Sequence, residues 1–248
     1  MGRPRGQRVH QTDQLARHAY SQTCDIWKST WGDQASRVIC VLGSQSANPW
    51  TASQAMDCPM WTEGAPCWKH GIDVVAGGPY FAGYIGNAQF DSQVLAWTKD
   101  PDGGLGKLFD EINKGGVLNG GSPGGAMVRA FMEMDGFIKA AAGRGLGAVA
   151  YEAGTHFAST SSNLAITNLF QAASADPRMG EVYDRYLAGW RERGGQMFVH
   201  YFNVGQTTAL GAFGALEYMD SASSPKYDAL LRFIDANPCW WTGCARKD

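Results

Sequence analysis

Four short apolar stretches, separated by helical patterns, constrain the fold of this chain more than any other feature. They lie in the segments RVICVLGSQ, GIDVVAGGPYF, LGAVAYEAG and QMFVHYFNVG. Apolar runs without polar alternation are typical of parallel strands buried on both faces. Helices between consecutive strands favour right-handed βαβ units, so the sequence predicts an α/β fold with parallel (β/α) units, either open or closed into a barrel. The 248 residues suffice for a whole eight-stranded barrel, but only four strands are predicted.

The helical patterns are bounded by capping residues and glycines. One helix is expected from Ser122, as its N-cap, to the glycines at 143 and 145, and another begins with Asp176 as its cap. Further helices are expected at 14–31, 105–113, 163–173, 211–219 and 224–237. Residues 46–69, rich in Pro and Trp, are predicted to form a long loop. No repeat or linker divides the chain, so 1–248 is expected to be one domain with residues 1–13 disordered.

Composition excludes several classes of partner. A net charge of −2 and a pI near 6.2 provide no basic surface for a phosphate backbone, so nucleic acid is not expected. No run approaches the roughly 18 apolar residues of a membrane span, so no membrane partner is expected. The nine Trp offer flat faces that suit sugar rings, although packing in the core is an equal alternative.

The six cysteines bear on the compartment. Cys58 with Cys67, and Cys239 with Cys244, are close enough in sequence to close small loops as disulfides, which favours an extracellular or periplasmic location. Zinc is the competing interpretation, but the spacings are not those of structural sites and no His flanks the pairs. Cys40 is predicted to be a small buried hydrophobe. The basic start MGRPRGQRVHQTDQ lacks an apolar core and is not a signal peptide, so export would need an upstream segment.

Three glycine-rich or serine-containing segments do not match the motifs they approach. GRGLGA precedes a strand instead of following one, so it is not a dinucleotide loop. GGSPGG lacks the Lys-Ser/Thr ending of a phosphate loop, and GSQSA is not a nucleophile elbow. Neither a cofactor nor a metal site is predicted.

The candidate site lies where the predicted strands end. Glu152, in AYEAGTH, follows the third strand, and the carboxyl ends of parallel strands gather the ligand sites of α/β folds. Amides, phenols and imidazole at the other strand ends would converge with it, a mixture suited to sugar hydroxyls: Gln45, Asn48, Tyr80, His156, Tyr201 and Asn203. Alternatives are a rim-exposed or ion-paired Glu152, and tyrosines that belong to the core.

These segments resemble a known family, the bacterial proteins described as cellulose-binding, whose barrel is similar to that of clan A glycoside hydrolases. The resemblance makes the four strands the fifth to eighth of a TIM barrel, so that the chain corresponds to its C-terminal half. It implies that Glu152 is the nucleophile of a retaining hydrolase, and that Tyr80, His156 and Tyr201 contact substrate. Phe213 stands where a Trp is common in the family.

Retaining hydrolysis requires a second carboxyl group about 5 Å from the nucleophile. Clan A enzymes place this acid/base after an Asn at the end of the fourth strand, and the chain contains no Asn-Glu dipeptide. Glu63, in WTEGAPCW, is the other loop carboxyl near a predicted strand end. Half a barrel would also expose two sheet edges, so a second chain or an N-terminal segment is expected to complete it.

Three functions therefore follow from the sequence. The first is a glycoside-hydrolase-like protein acting on a β-linked polysaccharide or oligosaccharide with Glu152 as nucleophile. The second is a non-catalytic carbohydrate-binding protein. The third is another α/β enzyme that uses Glu152 as a general base.

Overall fold

The computed structural model describes residues 11–62, 64–208 and 210–244, with the backbone alone for 11–15. This part of the chain is mixed α/β, with a small parallel sheet and eight α-helices. The strands are β1 (Val41–Gly43), β2 (Val74–Gly77) and β3 (Gly147–Ala150). The helices are α1 (Gln11–Trp31), α2 (Pro49–Asp57), α3 (Asp91–Trp97), α4 (Leu105–Asn113), α5 (Gly125–Ala142), α6 (Leu164–Ala175), α7 (Arg178–Glu192) and α8 (Pro225–Ala236).

The sheet has the order β1-β2-β3, and both pairings are parallel, as the sequence predicts. Val41 lies opposite Val74, and Val74 lies opposite Gly147. The predicted fourth strand is not a strand: Phe198 forms only an isolated parallel bridge with Ala150. The backbone from 196 to 201 nevertheless runs beside β3, since the Val199 amide donates to the Ala150 carbonyl at 3.1 Å. The four segments thus lie in the predicted order, but they do not by themselves define half of a barrel.

The two faces of the sheet pack differently. Leu42, Val75 and Ala148 join the main core, in which the helices bury large side chains such as Trp190 and Phe137. On the opposite face, Val74, Ala76 and Val149 form a separate small cluster with Val41. All four residues of β2 are buried, which confirms that this unalternated apolar run belongs to a central strand.

Two of the predicted elements need correction at their starts. The segment predicted as a long loop, 46–69, contains α2. Asn48 is the N-cap of this helix and accepts a hydrogen bond from the Trp50 amide, and Pro49 is its first residue. α5 begins at Gly125 instead of after Ser122. Its N-cap is Gly124, whose φ of +74° is a left-handed conformation that favours glycine.

The predicted helix at 211–219 is wrong, and α3 was not predicted. Residues 211–219 form turns and bridges, including a bridge between Val204 and Leu216. Gly211 has a φ of +140°, which no α-helix contains. The helices predicted at 14–31, 105–113, 163–173, 176–193 and 224–237 are confirmed as α1, α4, α6, α7 and α8, with shifts of a few residues at some ends. Residues 1–10, part of the segment expected to be disordered, lie outside the described residues; α1 begins at Gln11.

The outer edge of β1 is covered by α1. Tyr20 donates its phenol proton to the Val41 carbonyl at 2.7 Å, and the Arg17 guanidinium donates to the Gly43 carbonyl at 2.8 Å. Both carbonyls lie on the side of β1 that faces away from β2. Side chains of α1 thus occupy acceptors that would otherwise be open to another strand.

Three disulfides join all six cysteines. Cys58–Cys67 and Cys239–Cys244 are the predicted pairs, whereas Cys40, predicted to be a small buried hydrophobe, is buried and also bonded to Cys24, a pair that the sequence analysis did not predict. The omission has a simple cause: the partner of Cys40 comes from α1, 16 positions earlier. Three disulfides are compatible with an extracellular or periplasmic location. No helix of the described residues is long and apolar enough to cross a membrane.

Removing the Cys24–Cys40 disulfide should loosen the attachment of α1 to β1. A bridge across a separation of 16 residues contributes about 3 kcal/mol by restricting the unfolded chain. We expect the double variant C24S/C40S to lose about that much unfolding free energy in urea titrations. The matched control C239S/C244S removes a five-residue separation beyond α8 and should lose less. Equal losses would contradict the structural role given to the first bridge.

Candidate functional site

Glu152 lies just beyond the carboxyl end of β3, beside the end of β2. The Tyr151 amide donates to the Gly77 carbonyl at 3.2 Å, which keeps the two strand ends together. Glu152 is half-buried, whereas Tyr151 is exposed. A Cβ built on Gly78 would lie 3.5 Å from Glu152 Cγ, so the backbone after β2 passes directly along the glutamate side chain. The structure thus places Glu152 at a strand end, as predicted.

Tyr80 lies beside Glu152. A Cβ built on Gly78 would lie 3.4 Å from Tyr80 Cε2 and 3.5 Å from Glu152 Cγ, so both side chains border the backbone at Gly78. Burial, together with the negative charge of Glu152, raises the pKa of Tyr80 well above its usual value, so the phenol keeps its proton.

Four rings form a cluster around this pair, and we call Tyr80, His156, Tyr201 and Phe213 the aromatic cluster. The Tyr80 ring centroid lies 5.6 Å from that of His156 and 6.2 Å from that of Tyr201. Phe213 is stacked on His156 at 5.6 Å and lies 5.7 Å from Tyr201. All four members are predicted site residues, so the structure brings together five of the eight candidates once Glu152 is included.

His156 is exposed, as is Tyr201 in the same aromatic cluster. Desolvation by its surroundings lowers the pKa of His156, while the nearby charge of Glu152 acts in the opposite direction. Its position depends on Gly83, because a Cβ built there would come within 2.5 Å of His156 Nδ1. The glycine therefore leaves room for the imidazole between the loop after β2 and the loop after β3.

Two buried tyrosines of α7 form hydrogen bonds with the backbone of the loops after β2 and β3. The Gly154 amide donates to the Tyr186 hydroxyl at 3.3 Å, and Tyr186 in turn donates to the Pro79 carbonyl. The Thr155 amide donates to the Tyr183 hydroxyl at 3.1 Å. The sequence analysis missed both tyrosines; the one available signal is their spacing on the buried face of a predicted helix.

Gln45 and Asn48 are not part of the aromatic cluster. Asn48 Oδ1 accepts from the Trp50 amide at 3.2 Å, so the acceptor of this side chain is engaged in capping α2. Gln45 is exposed, and its carbonyl is 3.5 Å from Thr51 Oγ1. Glu63, the candidate second carboxyl, lies outside the described residues.

The arrangement combines one carboxylate, phenol donors and flat apolar faces. Within the described part of the chain, no group of three or more His, Cys, Asp or Glu side chains could hold a metal ion. Comparisons of the chain with protein-family models, with curated proteins and with solved structures found no match. The chemistry of the site therefore has to be argued from its geometry.

His200, which contacts Tyr183, should make the unfolding free energy depend on pH. Its Nε2 lies 2.9 Å from the Tyr183 hydroxyl, and burial, followed by the charge of Lys226, lowers the pKa of His200 to about 4. The unfolded chain, with an ordinary histidine pKa near 6.5, binds this proton first. Unfolding free energy therefore falls as the pH drops from about 6.5 to about 4, by about 3 kcal/mol from this group.

We expect the variant H200Q to flatten this dependence in urea titrations at stepped pH. Gln keeps an acceptor for the Tyr183 hydroxyl but does not titrate. H156Q, which replaces the exposed ring, should retain most of the dependence. If H200Q and the wild type lose equal free energy on acidification, the role given to His200 is wrong.

Proposed function

We propose that this chain carries a glycoside-hydrolase-like site that acts on a β-linked polysaccharide or oligosaccharide by a retaining mechanism. Glu152 would be the nucleophile. The observation that supports this best is its half-buried carboxylate at a strand end, beside Tyr80 and the other rings of the aromatic cluster. Carboxylates and phenols hydrogen-bond sugar hydroxyls, and aromatic faces stack on the apolar faces of pyranose rings.

In this mechanism the Glu152 carboxylate attacks the anomeric carbon while a second carboxyl protonates the leaving oxygen. The glycosyl–enzyme ester is then hydrolysed by water, which the second carboxyl deprotonates. Tyr80 would fix the orientation of the attacking oxygen. Phe213 and His156, which are stacked on each other, would border the sugar ring on one side.

The same proposal extends to the fold. The parallel order β1-β2-β3, continued by the backbone at 196–201, supports an assignment of these segments as strands five to eight of a TIM barrel. In that arrangement the acid/base would come from a second chain or from an N-terminal segment. Glu63 is the alternative within this chain.

A non-catalytic carbohydrate-binding protein is the second candidate. Within the described part of the chain, the groups whose pKa values are shifted by the charge of Glu152 are Tyr80, Tyr151 and His156, and none of these is a carboxyl. A site with one carboxylate and four rings can hold sugar without cleaving it. Binding without turnover is the outcome that separates this candidate from the first.

The test combines calorimetric titration with β-1,4-linked oligosaccharides and labelling by a 2-fluoro glycoside with a good leaving group. The wild type should bind sugar and be labelled on Glu152, as read by peptide mass mapping, because the fluorine slows hydrolysis of the ester. E152Q should not be labelled. The control E192Q changes an exposed glutamate of α7 and should behave like the wild type.

Each outcome separates the candidates. Label on Glu152 supports the retaining mechanism. Sugar binding that weakens in E152Q without any labelling favours the non-catalytic protein. Neither binding nor labelling across the β-linked series would contradict both.

A further inference from the structure

Lys226 is buried where a lysine is unfavourable. It is only 3% exposed and stands in the first turn of α8, directly after Pro225. The start of a helix carries partial positive charge, so a cation there is destabilised. Burial adds to this cost and lowers the pKa of Lys226 to about 7, against the opposing effect of Glu217. An ammonium group kept in such a place needs compensating contacts.

Those contacts are main-chain carbonyls of the loop that carries Phe213. Lys226 Nζ donates to the Ala212 carbonyl at 3.2 Å and to the Phe213 carbonyl at 3.4 Å. Ser224, at the N-cap of α8, donates its hydroxyl proton to the Ala215 carbonyl. Donors at the start of α8 therefore bind three carbonyls of this loop, those of Ala212, Phe213 and Ala215.

A cavity of about 730 Å³ borders the α8 side of the loop. Its lining includes the small residues Ala212, Gly214 and Ala215 as well as the larger Glu217 and Tyr218, and Lys226 lines it too. The small side chains make few van der Waals contacts of their own with α8. The hydrogen bonds from Lys226 add to the packing that holds the backbone of the loop in place.

On its other side the loop presents Phe213 to the aromatic cluster. Phe213 stacks on His156 and meets Tyr201 edge to face at 5.7 Å. The Ala212 amide donates to the Phe157 carbonyl at 2.9 Å, which ties the loop to the segment after Glu152. Lys226 thus fixes the carbonyls of Ala212 and Phe213, and the Phe157 carbonyl fixes the Ala212 amide.

We infer that Lys226 is a positioning residue that holds the Phe213 ring in the aromatic cluster by fixing the carbonyls of Ala212 and Phe213. Its effect on sugar binding rests on the proposed function, whereas its effect on the position of the Phe213 ring does not. Two measurements separate these parts.

The first measurement follows the ring itself by ¹⁹F NMR of protein with 4-fluorophenylalanine at position 213. Lys226→Met keeps a similar volume but removes every donor, and it should shift or broaden the resonance. Lys139→Met, at an exposed position of α5, should leave it unchanged. A resonance that is the same in K226M and the wild type would overturn the inference, whatever the protein binds.

A second variant covers the case in which K226M does not fold. Lys226→Gln has a shorter side chain that retains an amide donor, and it should shift the ¹⁹F resonance less than K226M does. K226M itself is expected to fold, because replacing a buried charge by an apolar side chain of similar size is often neutral or stabilising. An unshifted resonance in K226Q together with an unfolded K226M would assign Lys226 to stability alone and overturn the inference.

The second measurement is a double-mutant cycle on oligosaccharide affinity. K226M should weaken binding by about tenfold, in line with the loss of the hydrogen bonds that fix the ring. In the F213A background it should have no further effect, since the ring it positions is absent. An equal loss in both backgrounds would contradict action through Phe213. If the wild type binds no oligosaccharide, the proposed function fails, but the ¹⁹F result still decides the role of Lys226.

Discussion

The hydrogen bonds from Tyr183 and Tyr186 to the loops after β2 and β3 are the interactions on which the candidate site depends. Both phenols are fully buried in the core beneath the sheet. They engage the amides of Gly154 and Thr155 and the carbonyl of Pro79, which lie within three residues of Glu152 or Tyr80. Unpaired polar groups in this position would destabilise the fold, so stability and site geometry are joined here.

Helix α8 also contacts the site, and its contacts are connected to those of Tyr183 on α7. Lys226 holds the loop of Phe213, and its charge contributes to the low pKa of His200, which contacts Tyr183. Helices α7 and α8 therefore both support the residues of the aromatic cluster. The strand ends carry the groups proposed to contact sugar, and the helices fix where those groups lie.

The sequence predicted the parts of this arrangement that depend on local pattern. Unalternated apolar runs predicted β1, β2 and β3. Because residues that follow the carboxyl ends of parallel strands lie at the same edge of the sheet, these runs also predicted that Tyr80 and Glu152 lie close together. The remainder depends on contacts between distant segments. Neither the disulfide between Cys24 and Cys40 nor the contact of Lys226 with the 212–213 carbonyls leaves a signal at short sequence range. The helix predicted at 211–219 failed because its glycines permit the extended loop that the site uses.

We propose that Glu152 and the aromatic cluster form a carbohydrate site. A crystal structure of the protein with a bound β-1,4-linked oligosaccharide tests this claim most directly. We expect a sugar ring against the aromatic cluster, with its anomeric carbon within reach of Glu152. An oligosaccharide bound elsewhere, with the aromatic cluster unoccupied, would contradict it.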